Sequence, residues 1–263
     1  MPENIPLKFP VVLVHGVLAH DRAGSVKFWG RIPELLSERG IKVFLGNTDA
    51  WGDYESNASI LKKNIEAILL ETGKEKVNII AHSKGGIDSR YLIRKYGFGD
   101  KIASLTTLCT PHHGSEIADL IYNRKITHTR FTRKVLEIFG KLYGDTNPDL
   151  YNVNYQLTTA KMKEFNEEAI VDDRVFYQSL HVTMNHAFDD IMFFYPYLYL
   201  KIIGRKSDGV VSEYSTKWGS NTAKISGGIS HAEILDVKQK KISGIHIPDI
   251  YIKIVNDLAF RGF

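Results

Sequence analysis

Residues 10–14, 77–81 and 102–109 are nearly continuous apolar runs, the pattern of strands covered on both faces. Between them the apolar positions fall at helical spacing. Residues 27–39 read as a helix, 42–45 as a short strand, and 56–71 as a helix striped by Ile60, Leu61, Ile65, Ile68 and Leu69. Gly73 closes that helix, the strand 77–81 follows, and a further helix over 86–96 precedes the strand 102–109. Strands separated by helices predict an α/β fold: a mostly parallel central sheet with helices on both faces. Right-handed crossovers put every strand's C-terminal end on one edge, where sites of open α/β sheets assemble.

Beyond Thr110 the alternation breaks. Residues 116–149 look helical, with Ile117, Leu120 and Ile121 first, then Val135, Leu136, Ile138, Phe139 and Leu142; residues 156–169 form a second helical run. Such an insertion, 116–170, reads as a cap or lid, although an ordinary pair of packing helices gives the same pattern. Residues 200–204 and 223–226 read as strands. A last helix begins near Pro248 with the stripe Ile247, Ile250, Tyr251, Ile254 and Leu258. Neither an internal repeat nor a low-complexity linker divides the chain, so a single domain over 1–263 is expected.

Composition narrows the class without naming an activity. The 263 residues, 43% hydrophobic and 24% charged, can bury a sizeable core. The net charge of +4 comes from interleaved acids and bases, so nucleic acid is not an expected partner. Cys109 is the only cysteine, which excludes an intrachain disulfide and a Cys-rich metal site. Within its apolar run it reads as a small core filler rather than a nucleophile. The first residues lack the basic and apolar regions of a signal peptide, so a cytoplasmic location is expected unless a leader has been removed. The longest apolar run, 191–200, is too short to span a bilayer and contains Pro196.

The chemistry centres on Ala81-His82-Ser83-Lys84-Gly85, where a buried strand turns directly into a helix. A serine in that position sits in a strained nucleophile elbow with its hydroxyl raised above the sheet edge. Small residues are needed two positions either side, and Ala81 and Gly85 supply them; Gly86 adds slack. A serine hydroxyl needs a base, and the base an orienting carboxylate; on this fold the chain order is serine, acid, histidine. Asp208, in Ser207-Asp208-Gly209, falls just past the expected strand 200–204 and is the candidate acid. The base must follow it, which leaves His231 and His246. The loop after a strand is the usual location, which favours His231. The transition-state oxyanion needs two donors. The N–H of Lys84 is one candidate, and the N–H of Val17, in the Gly16 loop, is the other. His15 reads as a brace for that loop.

The string Val11-Val12-Leu13-Val14-His15-Gly16-Val17-Leu18-Ala19-His20-Asp21 resembles the oxyanion segment of bacterial triacylglycerol lipases of the Pseudomonas and Burkholderia type. So does Val77-Asn78-Ile79-Ile80-Ala81-His82-Ser83-Lys84-Gly85-Gly86, followed by Arg90-Tyr91. The segment Thr110-Pro111-His112-His113-Gly114-Ser115, then Ala118-Asp119, looks like that family's entry to its lid. The likeness resumes at Ser207–Ser212 and at Ser230-His231-Ala232-Glu233, and the middle of the chain matches poorly. The resemblance implies an α/β-hydrolase fold with catalytic Ser83, Asp208 and His231, and hydrolysis of acyl esters or glycerides through an acyl-enzyme. A thioesterase or acyltransferase would use the same residues, and a non-catalytic lipid-binding scaffold is the reading from another class.

The resemblance implies no cofactor for the chemistry but does imply a structural calcium, with Asp190 and Glu233 as candidate ligands. Val237 and Lys241 stand where further ligands are expected, and a solvated pair is the competing reading of Asp189 and Asp190. The Lys84 side chain departs from the neutral residue common there and is expected to face solvent. The segment 116–149 carries Tyr122, Phe131, Phe139 and Tyr143 among the cations Arg124, Lys125, Arg130, Arg133, Lys134 and Lys141. A basic, amphipathic cap of this kind can touch a lipid surface, and a solvated helix face explains the same pattern. The run 191–200 reads mainly as core strand packing, with the lining of an acyl cleft as its other use.

Overall fold

The computed structural model describes residues 7–17, 21–23, 26–124, 129, 134, 137–138, 140–141, 144–168 and 171–263. Its frame is a six-stranded, wholly parallel sheet of β1 (Val11–Val14), β2 (Val43–Leu45), β3 (Val77–His82), β4 (Ile102–Leu108), β5 (Phe176–Val182) and β6 (Thr222–Ile225). The spatial order is β2-β1-β3-β4-β5-β6. Strands β1, β3 and β4 are buried along their whole length, as their apolar runs demand. In register, Val12 pairs with Ile79 and Ile79 with Leu105 on one face, while Val11, Leu13 and Ile80 point to the other, so both faces of the sheet centre are apolar.

Each face has its own core. On one side α1 (Ile32–Ser37) and the last described helix, Ile247–Phe260, pack Ile32, Leu36, Ile247, Tyr251 and Leu258 against Val11, Leu13 and Ile80. On the other side α2 (Tyr54–Thr72) and α3 (Lys84–Lys95) pack Leu61, Ile65, Leu92 and Ile93 against Val12, Ile79 and Leu105. Helix α2 starts where the Asp53 carboxylate accepts the Ser56 N–H at 2.7 Å, and it stops at Gly73, whose φ is +65°.

Several expectations need correcting. Only Ile32–Ser37 of the expected helix 27–39 is helical, because Gly30, at φ +49°, turns the chain against the backbone of Asp236. Residues 200–204 are not a strand: Phe194–Ile202 is a helix, and its buried Tyr197 and Leu200 are spaced one turn apart. Pro196 sits in the first turn, where its missing N–H breaks no helical bond. The fifth strand is instead β5, whose polar Gln178 and Ser179 obscure its pattern. Gln178 Nε2 donates to Thr106 Oγ1 at 2.8 Å and Ser179 Oγ to the Trp218 carbonyl at 2.8 Å, so neighbouring chain satisfies both.

After β4 come α4 (Glu116–Asn123), α5 (Leu150–Gln156) and α6 (Thr159–Glu167). Tyr122 of α4 lies against Tyr151 and Tyr155 of α5, with ring centroids 6.1 and 5.4 Å apart. Of the expected cap residues, Lys125, Arg130, Phe131, Arg133, Val135, Leu136, Phe139, Leu142 and Tyr143 lie outside the described residues, as does Ala169. Among the described residues no helix is long and apolar enough to cross a membrane.

Candidate active site

Ser83 closes β3 and caps α3 with φ +53° and ψ −129°, a conformation that side-chain-bearing residues rarely adopt. The surrounding packing enforces it. Ser83 N–H donates to the Leu108 carbonyl at 2.9 Å, and a Cβ placed on Gly85 would meet the His15 carbonyl and come within 2.6 Å of that of Val14. Gly86 gives no slack, contrary to expectation: a Cβ there would strike the Thr110 hydroxyl. Gly16 brings its loop against the serine, since its Cβ would lie 2.7 Å from Ser83 Cβ and 3.2 Å from Oγ. His15 braces the same loop, with Nδ1 2.7 Å from the Gly16 carbonyl and Nε2 2.9 Å from that of Thr48.

Two distant segments converge on this turn. His231 Nε2 lies 3.0 Å from Ser83 Oγ, and His231 Nδ1 lies 2.7 Å from Asp208 Oδ2. The other Asp208 oxygen accepts the N–H groups of Val210 at 2.9 Å and Val211 at 2.8 Å, so the carboxylate is fully buried yet held on three sides. Asp208 does not follow a strand. It sits in a turn closed by a Ser207–Ser212 bridge and tied to the chain leaving β5 by a 2.9 Å bond from Met184 N–H to the Ser207 carbonyl. His246 is elsewhere, its Nδ1 2.9 Å from Asp249 Oδ1 at the start of the last helix.

Four further groups make contacts that sequence patterns did not announce. His82 lies against His231, with ring centroids 4.5 Å apart and planes tilted by 52°, and donates from Nε2 to the His231 carbonyl at 3.0 Å. Its Nδ1 is buried without a partner, which suits a neutral ring. The Phe193 ring stands edge-on to His231 at 6.2 Å. Cys109 is fully buried at φ +54°, and its thiol is pushed well above the ordinary value by burial and by Asp208, to which it hydrogen-bonds. That protonated thiol supports the carboxylate and offers no thiolate. It also makes Cys109, Asp208 and His231, whose ligand atoms lie within 4.8 Å of one another, a poor metal site. The fourth, Arg90, lies 4.1 Å over the ring of Trp218 and reaches His112 Nδ1 at 3.2 Å; burial lowers its guanidinium to about 9.

Lys84 does not face solvent. Only 2% exposed, its ammonium lies 2.6 Å from Asp88 Oδ1 beneath the elbow, and Asn57 Nδ2 donates to Asp88 Oδ2 at 3.0 Å. Burial raises the Asp88 carboxyl, and the Lys84 ammonium opposes that shift. The Lys84 N–H heads α3, where first-turn donors have no helical acceptor.

The calcium expectation does not fit the structure either. Asp190 is buried, not solvated, and faces Glu233, but the Lys238 ammonium lies between them, 2.6 Å from Glu233 Oε1 and 3.4 Å from Asp190 Oδ2. The side chains of Val237 and Lys241 carry no oxygen, so these positions offer backbone carbonyls alone, while calcium needs six or more oxygens.

Burial holds His82 and His112 well below the ordinary imidazole value, with nearby His231 and Arg90 respectively adding to the shift. The unfolded chain therefore binds protons that the folded chain refuses as pH drops below about 6.5. Stability contributed by these rings is present above that pH and lost below it. Each ring is expected to add a slope of about 1.4 kcal/mol per pH unit. Urea unfolding between pH 8 and pH 5 measures this, and a flat profile down to pH 5 contradicts it.

Comparison with known proteins identifies the fold. The family described as alpha/beta hydrolase fold matches residues 10–161. Triacylglycerol lipase 2 of Saccharomyces cerevisiae is 29% identical over 265 residues, covering 91% of this chain and 75% of the yeast protein. A triacylglycerol lipase of Burkholderia plantarii is 32% identical over 171 residues, covering 60% of this chain and 47% of its own length. Among solved structures, Staphylococcus hyicus lipase superposes with a TM-score of 0.76 at 18% identity, covering 98% of this chain and 97% of that one. The mature lipase of Bacillus licheniformis gives 0.68 at 23% identity, covering 95% and 93%. With more than half of its length matched and the fold shared end to end, the chain belongs to the alpha/beta hydrolase family, and its relatives there include triacylglycerol lipases.

Proposed function

We propose that this chain hydrolyses carboxylic acyl esters, with glycerides as the substrate class, through an acyl-enzyme on Ser83. The observation that carries the reading is the continuous contact Ser83 Oγ to His231 Nε2 at 3.0 Å and His231 Nδ1 to Asp208 Oδ2 at 2.7 Å, at a strained strand-to-helix turn. His231 takes the serine proton as Oγ attacks the ester carbonyl. Asp208 keeps the imidazole proton on Nδ1, so that Nε2 is free to accept. The N–H groups of Val17 and Lys84 hold the oxyanion, and the imidazolium then protonates the leaving alcohol. Water, activated by the same histidine, releases the acid. Side chains, backbone N–H groups and water supply every step of this reading.

The segment 116–170, with its described helices α4, α5 and α6, serves in this reading as the cap. Lipid contact extends beyond it to the turn and helix beside His231, where Phe188, Ile191, Met192 and Tyr195 are exposed. The run 191–200 is thus a surface element with one buried stripe, not a core strand.

The test is fluorophosphonate labelling followed by peptide mapping, with p-nitrophenyl esters of increasing chain length assayed alongside. Stoichiometric label on Ser83 and ester turnover are expected. No label and no turnover would leave a binding scaffold, while turnover of acyl thioesters alone would move the substrate class.

A further inference from the structure

The His231 loop is held from below by two carboxylates and one cation. Ser230, next to the proposed base, donates its hydroxyl to Asp190 Oδ2 at 2.7 Å and its N–H to Glu233 Oε2 at 3.0 Å. The Ser230 hydroxyl in turn accepts the Glu233 N–H at 3.2 Å. Asp190 and Glu233 are 7% and 3% exposed, so two adjacent negative charges sit almost out of water. Such a pair is costly unless a cation joins it. The free oxygen of Glu233 is 2.6 Å from Lys238 Nζ, and Asp190 Oδ2 is 3.4 Å from the same ammonium. Lys238 arrives from the chain just after the turn Glu233–Leu235 and spans to the segment that begins the turn Ile191–Phe193. The same segment carries Phe193, which stands against the imidazole.

We propose that Lys238 is a positioning residue: its ammonium joins Asp190 to Glu233, fixes Ser230, and so sets His231 against Ser83 where a divalent cation would otherwise be needed. The inference rests on His231 being the base. It makes the hydrolase independent of calcium, because the chain carries its own cation. It also makes the ammonium matter for the reacting geometry rather than for ester binding, since among the described residues the ion pairs of Lys238 are with Asp190 and Glu233 and not with the serine turn.

The experiment compares the whole chain with Lys238→Met, Lys238→Arg and Glu233→Gln. Thermal unfolding and p-nitrophenyl ester kinetics are measured in chelator and in millimolar calcium. For the unaltered chain, melting temperature and kcat are expected to be the same in both. Lys238→Met is expected to lower kcat about 10- to 100-fold at nearly constant KM, the effect of a displaced catalytic group, and to melt earlier. Lys238→Arg should recover both properties. Glu233→Gln keeps the Ser230 contact while losing the ion pair, and should show a smaller fall in kcat; it carries the test if Lys238→Met fails to fold.

A melting temperature or kcat of the unaltered chain that falls in chelator and returns with calcium would overturn the proposal, as would wild-type kcat in both Lys238→Met and Glu233→Gln. Earlier melting with unchanged kcat would reduce Lys238 to a structural ion pair and overturn it too. If the unaltered chain hydrolyses no ester, the functional reading fails, yet the melting curves still decide whether calcium holds this loop.

Discussion

Ser83→Ala is expected to lower kcat for a p-nitrophenyl ester by about 10⁶-fold while leaving the fold intact, with His231→Ala close behind and the double variant no worse than either. The serine and the imidazole act as one unit across a 3.0 Å contact, so removing one leaves the other nothing to do. Residual turnover over water would come from the oxyanion donors and from substrate binding. Alanine at 83 inherits the same φ of +53° and the same close approach of Gly16, which is why little loss of stability is expected. Asp208→Asn probes a subtler step. Its Oδ1 can still accept the Val210 and Val211 N–H groups, but its amide then faces His231 Nδ1 as a donor. The imidazole proton is forced onto Nε2, which can no longer accept from Ser83, and kcat is expected to fall about 10⁴-fold. His246→Ala, at a histidine paired with Asp249, should leave the rate unchanged. Steady-state kinetics with circular dichroism checks all five; turnover by Ser83→Ala would place the nucleophile elsewhere.

Lys84→Met should be the most destabilising of the charge substitutions considered, at about 3–5 kcal/mol, because it strands a buried carboxylate. Asp88 is 1% exposed and keeps only the Asn57 amide once the ammonium 2.6 Å away is gone. Burial already raises this carboxyl, and without Lys84 it rises further. A folded-state value above the unfolded one means that the folded variant gains protons as pH falls. The deficit against the unaltered chain is therefore largest at neutral pH and shrinks in acid. Lys84→Met/Asp88→Asn should recover most of the loss, since the amide oxygen still accepts from Asn57 and no charge remains. Urea titrations at pH 7.5 and pH 5 measure both effects. A single variant within about 1 kcal/mol of the parent would mean the pair behaves like an exposed one.

How much of this was legible in the sequence follows from what hydrophobic patterning records. Strands β1, β3 and β4 are buried on both faces, so apolar residues recur without alternation, interrupted by buried polar residues such as Asn78 and Ser104, which bond each other. Strand β5 is only partly buried, and its Gln178 and Ser179 are satisfied by Thr106 and Trp218, neighbours that no local pattern can announce. The misread residues 200–204 show the converse limit. A short apolar stretch with Pro196 upstream suits strand or helix, and the one-turn spacing of Tyr197 and Leu200 becomes meaningful only once it has a surface to face.

The elbow at Ser83 was determined by the sequence alone, because a strand run, a serine flanked by small residues and a helical run lie within a few positions of one another. The identity of an acid and a histidine downstream was also readable, from chain order and the resemblance. What only the tertiary structure decided is everything that depends on approach across the chain. His231 is 148 residues from Ser83, yet folding sets it 3.0 Å from that hydroxyl and leaves His246 beside Asp249. Lys84 and Lys238 look alike in sequence, as exposed cations. Folding buries one against Asp88 and lays the other between Asp190 and Glu233, because a charge's energy depends on its neighbours and on the water it has lost.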